Sequence, residues 1–237
     1  MEAEYAAAGV GGLVIHTDRK DPHALALKKS PHEHIVCAAV VPGVTPSQVE
    51  MEIKKGHYQC MKVYLGYVPK YPSDPFYHPF YRVAERLKVP VVFHTGDTSD
   101  KMALVKYADP LSVDEIAVKY PKVTFVLAHI GNPWIQSAGE VIYKNDNVFG
   151  DLSALMIGEM EKADDESIQE FVIKPIHWIF LYVENPKKLL FGTDWPLVHV
   201  KPYLEAVKRA IPREHWKSVF HDNAVRVFGF KQPLLSK

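Results

Sequence analysis

Seven short apolar runs, each followed by polar and then helix-like sequence, constrain the fold of this chain more than any other feature. The runs are GLVIH (12–16), IVCAAVV (35–41), CMKVYLG (60–66), PVVFHT (90–95), VTFVLAH (123–129), NVFGDLS (147–153) and KLLFGTD (188–194). Most do not alternate with polar residues, which is typical of strands covered on both faces. Strands that alternate with helices predict a parallel sheet, here in a single domain spanning residues 1–237. Seven strands suit an open doubly wound sheet, whereas a (β/α)8 barrel needs eight.

Helix signals lie between these runs. The stretch PSQVEMEIKKG predicts a helix that stops at Gly56. Ser112, with Glu115 three residues later, forms a capping-box pattern that predicts a helix start. The long stretch DDESIQEFVIKPIHWIFLYVENP contains Pro175, which is expected to break or kink its helix.

Side chains able to do chemistry recur where the apolar runs end. Runs three to seven carry there, in chain order, Lys62, His94, His129, Asp151 and Asp194. In successive βα units these ends meet at one edge, where barrel enzymes build their active sites. Imidazole and carboxylate groups bind zinc-like divalent ions, which make hydroxide available near neutral pH. An imidazole that does not bind the metal can move protons.

Composition excludes several classes of partner and location. The 28 Lys and Arg residues balance 28 Asp and Glu residues, so binding to nucleic acid or to an anionic membrane gains no support. No apolar run could span a bilayer, and the N-terminus MEAEYAAAGVGG lacks the basic region of a secretory signal. A cytoplasmic location is therefore expected. Cys37 and Cys60 lie in apolar runs outside any CxxC pair, and we expect reduced core residues.

Four segments in order resemble the amidohydrolase superfamily: MKVYLGYVPKYPSDPFYHPFYRVAERLKVPVVFHTG, VLAHIGNPW, LLFGTDWP and VFHDNAVRVFGF. The resemblance covers roughly residues 8–230 and is to the amidohydrolase-related branch (amidohydrolase 2). That branch includes aminocarboxymuconate-semialdehyde decarboxylase and related aromatic-acid decarboxylases. The resemblance implies a distorted (β/α)8 barrel, a mononuclear site for zinc or manganese, and a small-molecule substrate. It also makes a homodimer an expectation.

The resemblance implies roles for four strand-end residues. His94 matches a metal-binding histidine, and Asp194 matches an aspartate that binds the metal and acts as base on its water. His129 matches a histidine that polarises the substrate or moves a proton. Lys62 lies near a position that is a carboxylated lysine in some members, and it equally suits a cation for a substrate carboxylate.

One part of the family pattern is absent. The family's first strand ends in His-x-His and supplies two metal ligands, but no His-x-His precedes the first run here. By order GLVIH matches strand two, so we expect a barrel that lacks its first strand and leaves two edges unpaired. His16 is the candidate replacement ligand, whereas His32 and His34 precede a strand and are expected at the opposite surface. Because a catalytic zinc site usually needs three protein ligands, this chain is expected to bind metal weakly or not at all.

Three functions stay open at this point. The first is a metal-dependent hydrolase, in which activated water attacks a small-molecule carbonyl or a C–N or C–O bond. The second is a non-oxidative decarboxylase on the same site, and the third is a catalytically incomplete barrel that acts as a binding module. Weaker candidates for substrate contacts are Asp151, Trp134 and Trp195.

Overall fold

Seven parallel strands form one sheet in the part of the chain that the structure describes. The computed structural model describes residues 2–17 and 33–231. Its strands are β1 (Gly12–Thr17), β2 (Glu33–Val40), β3 (Cys60–Val63), β4 (Val91–His94), β5 (Phe125–Ala128), β6 (Val148–Asp151) and β7 (Leu189–Leu190). Each apolar run of the sequence therefore contains one strand.

Strand order settles the choice between a barrel and a doubly wound sheet. The order is β1-β2-β3-β4-β5-β6-β7, and every neighbouring pair is parallel. A doubly wound sheet reverses its strand order at one point, and this sheet does not. The strands curl into a (β/α)8-type barrel that lacks one strand. Within the described residues β1 and β7 do not pair with each other, so the curled sheet is open on that side.

Helices cover the outside of the sheet. Within the described residues they are α1 (Glu2–Ala7), α2 (Pro46–Lys54), α3 (His78–Leu87), α4 (Asp114–Lys119), α5 (Ile135–Lys144), α6 (Asp165–Ile168), α7 (Lys174–Val183), α8 (Val200–Ala210) and α9 (Asn223–Phe228). The main apolar core lies between this layer and the sheet, and it includes Phe80, Tyr81, Phe93, Phe125 and Ile142. A smaller cluster fills the inside of the curl, formed by Ile35, Cys37, Cys60, Val92, Val126, Ala128 and Leu190.

Two helix boundaries test the sequence signals. Thr45 caps α2 in a capping box with Gln48, and the chain turns at Gly56 soon after the helix ends. The capping box expected at Ser112 is wrong: α4 begins at Asp114, and the Ser112 hydroxyl donates to Asp109 O instead. Asp109, three residues earlier, accepts from Leu111 N and starts a short 3₁₀ turn.

The proline in the long helical stretch has the expected effect. Pro175 lies in the first turn of α7, and residues Gln169–Ile173 directly before it form a π-helical segment. A π segment is one of the recognised causes of a helix bend. No helix in residues 2–17 and 33–231 is long and apolar enough to cross a membrane.

The expectation that both cysteines are reduced is wrong. Cys37 and Cys60 form a disulfide with their Cα atoms 4.3 Å apart. The parallel register of β2 and β3 places these two residues directly opposite each other, and both side chains are buried inside the curl. The two cysteines are 23 residues apart in sequence and become neighbours only when β2 and β3 pair, so the sequence pattern did not predict the disulfide. The cytoplasmic location stays a prediction.

We expect no free thiol in the protein unfolded in denaturant without reductant, and two after reduction. A Cys37→Ala, Cys60→Ala double variant should lose about 2–4 kcal/mol of unfolding free energy. Without the disulfide the unfolded chain is no longer closed into a loop and has more conformational freedom. Thiol titration and denaturant unfolding measure the two effects. Two titratable thiols before reduction would show that the strands are not cross-linked.

Candidate active site

The strand-end residues come together at one end of the curled sheet. Lys62 is in β3, His94 ends β4, and His129 directly follows β5. Asp151 ends β6, and Asp194 lies four residues after β7. Because all strands run in the same direction, their carboxyl ends form a single mouth. His34 lies at the start of β2 and hence at the other end of the sheet, as expected, and His32 lies outside the described residues.

A cavity of about 440 Å³ leads into the open side of the sheet. Its mouth is lined by His16, His129, Asp151, Asp194 and Trp195, and its depth is apolar, lined among others by Val14, Val92, Val126, Leu190 and Phe220. The cavity lies between β1 on one side and β7 on the other. The space beside the missing strand is therefore continuous with the candidate site.

A chain of hydrogen bonds joins three residues of the mouth. Ser153 Oγ donates to Asp151 Oδ2 over 2.9 Å, and His129 Nδ1 lies 2.9 Å from Ser153 Oγ. Since that hydroxyl already gives its proton to Asp151, His129 donates from Nδ1, which also lies 3.3 Å from the Ser153 carbonyl oxygen. Two acceptors at Nδ1 leave Nε2 of His129 as the nitrogen with a free lone pair.

Burial sets the protonation of this chain. It raises the pKa of Asp151 to about 6, with Asp194 adding to the rise, while hydrogen bonds from Ser153 and the charge of Lys62 oppose it. Burial also lowers the pKa of His129 to about 3, helped by the charge of Lys62. Near neutral pH His129 is therefore a neutral imidazole beside a mostly ionised carboxylate.

Lys62 is a cation in the interior of the protein. It is 3% exposed, and burial lowers its pKa to about 8 against the opposing charges of Asp194 and Asp151. Its ammonium group lies 5.7 Å from the centre of the Tyr64 ring. A charge held in a low-dielectric interior favours the arrival of an opposite charge.

His94 is held by its backbone and by two rings. Its Nε2 donates to Asp97 O over 2.8 Å, and its ring packs edge-on against His129 and Tyr67, each with a centroid distance of 5.0 Å. Burial lowers its pKa to about 3, and repulsion from His129 in its protonated form and from the charge of Lys62 adds to this. His94 is therefore neutral, with one ring nitrogen already committed to Asp97.

The hydrogen bonding of His16 is incomplete. Its Nε2 is buried and has no hydrogen-bond partner in the structure. Burial lowers its pKa well below the usual range, and repulsion from Lys62 and from the protonated forms of His129 and His94 adds to this. His16 thus belongs to the same cluster, as its place at the end of β1 indicates.

Backbone geometry marks two of these positions as strained. His129 and Asp194 have φ angles of 65° and 61°, in the left-handed region that residues with a side chain rarely adopt. Such conformations persist where the surrounding structure imposes them, often at functional sites. They turn the side chain of His129 directly after β5, and that of Asp194 four residues after β7, toward the mouth.

Gly192 is required by close approach to Asp151. A Cβ atom at this position would lie 2.3 Å from Asp151 Oδ1 and 3.0 Å from Ser153 Cβ. The glycine before the Thr-Asp-Trp sequence therefore lets the segment after β7 pass beside Asp151 and Ser153.

The two tryptophans differ in position. Trp195 lines the cavity, but Trp134 does not, because it lies partly exposed at the start of α5. Lys62 is buried and does not line the cavity either, so substrate contacts of Trp134 and Lys62 stay predictions.

The residues do not fit the metal centre that the sequence resemblance implies. Among residues 2–17 and 33–231, no three His, Cys, Asp or Glu side chains are grouped so that they could hold a metal ion. Nε2 of His94 is bonded to Asp97 O, Nδ1 of His129 is bonded to Ser153, and Asp194 is exposed. A catalytic zinc site takes three protein ligands and leaves one position open.

Sequence reasoning missed two residues that the structure places at the site. Ser153 connects Asp151 to His129, and its signal was its position two residues after a strand-end aspartate. Glu4 accepts hydrogen bonds from the segment that follows Asp194, across 191 residues of sequence from Trp195. Nothing local in the sequence indicates that contact.

The comparisons with known proteins agree with this architecture. A family model described as amidohydrolase matches residues 6–230. A probable 2-pyrone-4,6-dicarboxylic acid hydrolase from Acinetobacter baumannii superposes with a TM-score of 0.73 at 16% identity, covering 96% of this chain and 87% of its own. No curated protein matches the chain.

Two solved decarboxylases share the fold. The 5-carboxyvanillate decarboxylase of Sphingomonas paucimobilis has a TM-score of 0.67 at 15% identity, covering 97% of this chain and 82% of its own. That of Novosphingobium aromaticivorans, complexed with manganese and a nitrobenzoic acid, has a TM-score of 0.65 at 14% identity, covering 96% and 79%. At such identities the likeness establishes the fold and leaves the reaction open.

Gly192→Ala should disrupt the site because its methyl group must displace Asp151 or Ser153. Overpacking of this kind costs about 1–3 kcal/mol of folding free energy. Thermal unfolding of Gly192→Ala and of the unmutated protein measures the cost. Equal melting temperatures for Gly192→Ala and the unmutated protein would contradict this packing.

The 237-residue chain should retain well under one equivalent of zinc or manganese after dialysis against a chelator. The physical reason is that the described donors do not converge on one point. Elemental analysis before and after dialysis measures it, with a His94→Ala variant as the baseline. One chelator-resistant ion per chain, lost in His94→Ala, would show that a complete metal centre exists.

Proposed function

The chain belongs to the amidohydrolase family, and from that premise we propose that it is a hydrolase of small carboxylic acids. The observation that carries the proposal is the hydrogen-bonded chain Asp151–Ser153–His129 at the mouth of the cavity. It presents a neutral imidazole whose Nε2 can accept a proton. Lys62 lies in the same cluster and supplies positive charge.

Lys62 is proposed to bind a carboxylate of the substrate. No salt bridge within 4.0 Å is found for Lys62 among the described residues, although Asp151 and Asp194 act on it from further away. A substrate carboxylate would pair with this buried ammonium group and hold the molecule against the mouth. The hydrolase and decarboxylase neighbours are named for acids, which agrees with this assignment.

His129 is proposed as the general base. Its Nε2 removes a proton from water as the oxygen attacks the substrate carbonyl carbon. The C–O bond then breaks, and the same nitrogen returns the proton to the leaving oxygen. The low pKa of His129 makes it a weak base, and Asp151 offsets this by stabilising the imidazolium through Ser153.

A non-oxidative decarboxylase is the second candidate. It is favoured by the raised pKa of Asp151, which keeps a fraction of this carboxyl protonated near neutral pH. A protonated Asp151 could deliver its proton to the substrate carbon that loses CO2, so that a C–H bond replaces the C–C bond. The apolar depth of the cavity suits an aromatic ring.

A divalent metal, zinc or manganese, is part of the family expectation. Because the described residues do not form its site, no step of the proposal is assigned to it. Two further proposals concern partners: a small molecule is the substrate, and a homodimer could cover the unpaired edges of β1 and β7. A catalytically incomplete binding module remains the alternative if all activity is absent.

The reaction is tested with 2-pyrone-4,6-dicarboxylate and 5-carboxyvanillate as substrates. If the protein is a hydrolase, it should open the pyrone ring. In His129→Asn kcat should fall about 100-fold or more, since general acid–base catalysis contributes a factor of about 10² to 10⁴ to the rate. Lys62→Met should raise KM most. Release of CO2 without ring opening would assign the decarboxylase, and binding without turnover of either compound would favour the binding module.

The pH profile separates the two reactions through Asp151. A hydrolase needs its carboxylate, so kcat/KM should rise through about pH 6. It should then fall through about pH 8, where Lys62 loses its charge. A decarboxylase that uses protonated Asp151 should instead lose activity above about pH 6. In Asp151→Asn the limb near pH 6 should disappear, and its persistence would contradict the assignment to Asp151.

A further inference from the structure

The segment that follows β7 has little support from the sheet. β7 is only two residues long, and on its far side it pairs with no strand among the described residues. The chain then runs from Phe191 to α8 through Asp194 and Trp195, both of which line the cavity. A single parallel bridge between Val198 and Gly158 fastens it from the β6 side.

Glu4 holds this segment from the opposite side. Its carboxylate accepts from Val200 N at 2.7 Å, from Trp195 Nε1 at 3.0 Å and from His199 Nδ1 at 3.3 Å. The neighbouring Tyr5 ring packs edge-on against Trp195 with a centroid distance of 5.7 Å. One side chain of α1 therefore binds three points of the segment at once.

The contact also supplies what α8 lacks. His199 precedes the first turn of α8 without giving a side-chain cap, and Val200 is the first residue of that helix. A carboxylate at this place satisfies a free N–H group and interacts favourably with the helix dipole. Burial alone would raise the pKa of Glu4, but the hydrogen bonds from Val200, Trp195 and His199 outweigh it and lower the pKa.

We infer that Glu4 is a positioning residue, which fixes Trp195 and Asp194 as the wall of the cavity on the side where the sheet is open. Tyr5 of α1 and Ala8 and Gly9 of the turn after it line the same cavity, so this segment replaces part of the enclosure that a further strand would give. The inference rests on the proposed function, since it assigns Glu4 to substrate binding. His129 and its hydrogen-bonded partners are anchored on β5 and β6 and do not depend on Glu4.

The test compares Glu4→Ala, Glu4→Gln and Trp195→Phe in the full chain. The control is Glu52→Ala. Like Glu4, Glu52 has a carboxylate paired with a histidine, but it lies on α2 and its second partner is a lysine. With the pyrone as substrate, Glu4→Ala should raise KM about tenfold, the size expected for losing hydrogen bonds to a charged group, and leave kcat within about twofold. Glu4→Gln keeps one acceptor oxygen and should recover part of the loss, whereas Glu52→Ala should change neither constant.

A second readout does not depend on activity. The indole ¹H–¹⁵N signal of Trp195, assigned by its loss in Trp195→Phe, should move in Glu4→Ala and stay in Glu52→Ala. If neither substrate is turned over while the indole signal moves, the proposed function fails but the contact stands, and the dissociation constant of the pyrone then replaces KM. Three results for Glu4→Ala would overturn the inference: an indole signal that does not move, an unchanged KM, or a fall in kcat as large as the rise in KM. If Glu4→Ala does not fold, Glu4→Gln decides it by the same criteria, and Trp195→Phe, which has no indole signal, decides it by KM and kcat.

Discussion

The common direction of seven strands is the constraint on which the rest of this structure depends. Because every strand runs the same way, the residue that ends each strand arrives at the same mouth. Three histidines, two aspartates and a lysine are thereby gathered from separate parts of the chain. Their burial then shifts the pKa values of Asp151, His129 and Lys62, so that base, carboxylate and cation coexist near neutral pH. The shared strand direction brings these side chains together, and their burial shifts their pKa values.

The open side between β1 and β7 is the second constraint, and two features compensate for it. The disulfide between Cys37 and Cys60 fixes the spacing of β2 and β3 close to the edge. Glu4 holds the segment beyond β7 and closes the cavity from outside the sheet. A cavity that a complete sheet would fill is therefore available beside the site. This arrangement explains how a curled sheet with one strand fewer can still present an enclosed pocket.

The sequence predicted the parts of the fold that depend on short-range pattern. The spacing of the apolar runs predicted the seven strands, their parallel arrangement and the strand-end residues, because this spacing is visible in short stretches of sequence. The disulfide, the Ser153 link and the Glu4 contact were missed, because they depend on strand pairing and on a contact between segments about 190 residues apart in sequence. Ser112 was misread for a related reason: Asp109, three residues earlier, competes for the helix start. The metal ligands implied by the family resemblance occur in the matching order along the sequence, but in the structure they do not form a site for one metal ion among the described residues.

The measurement that tests the account most directly is the tautomer and titration of His129. Long-range ¹H–¹⁵N correlation of the histidine rings, with His129 assigned by His129→Asn, reports both across pH. The account predicts a neutral ring with its proton on Nδ1 throughout the neutral range, protonated only near pH 3. A ring that carries its proton on Nε2, or that becomes imidazolium near pH 6 to 7, would contradict the proposed base and its link to Asp151.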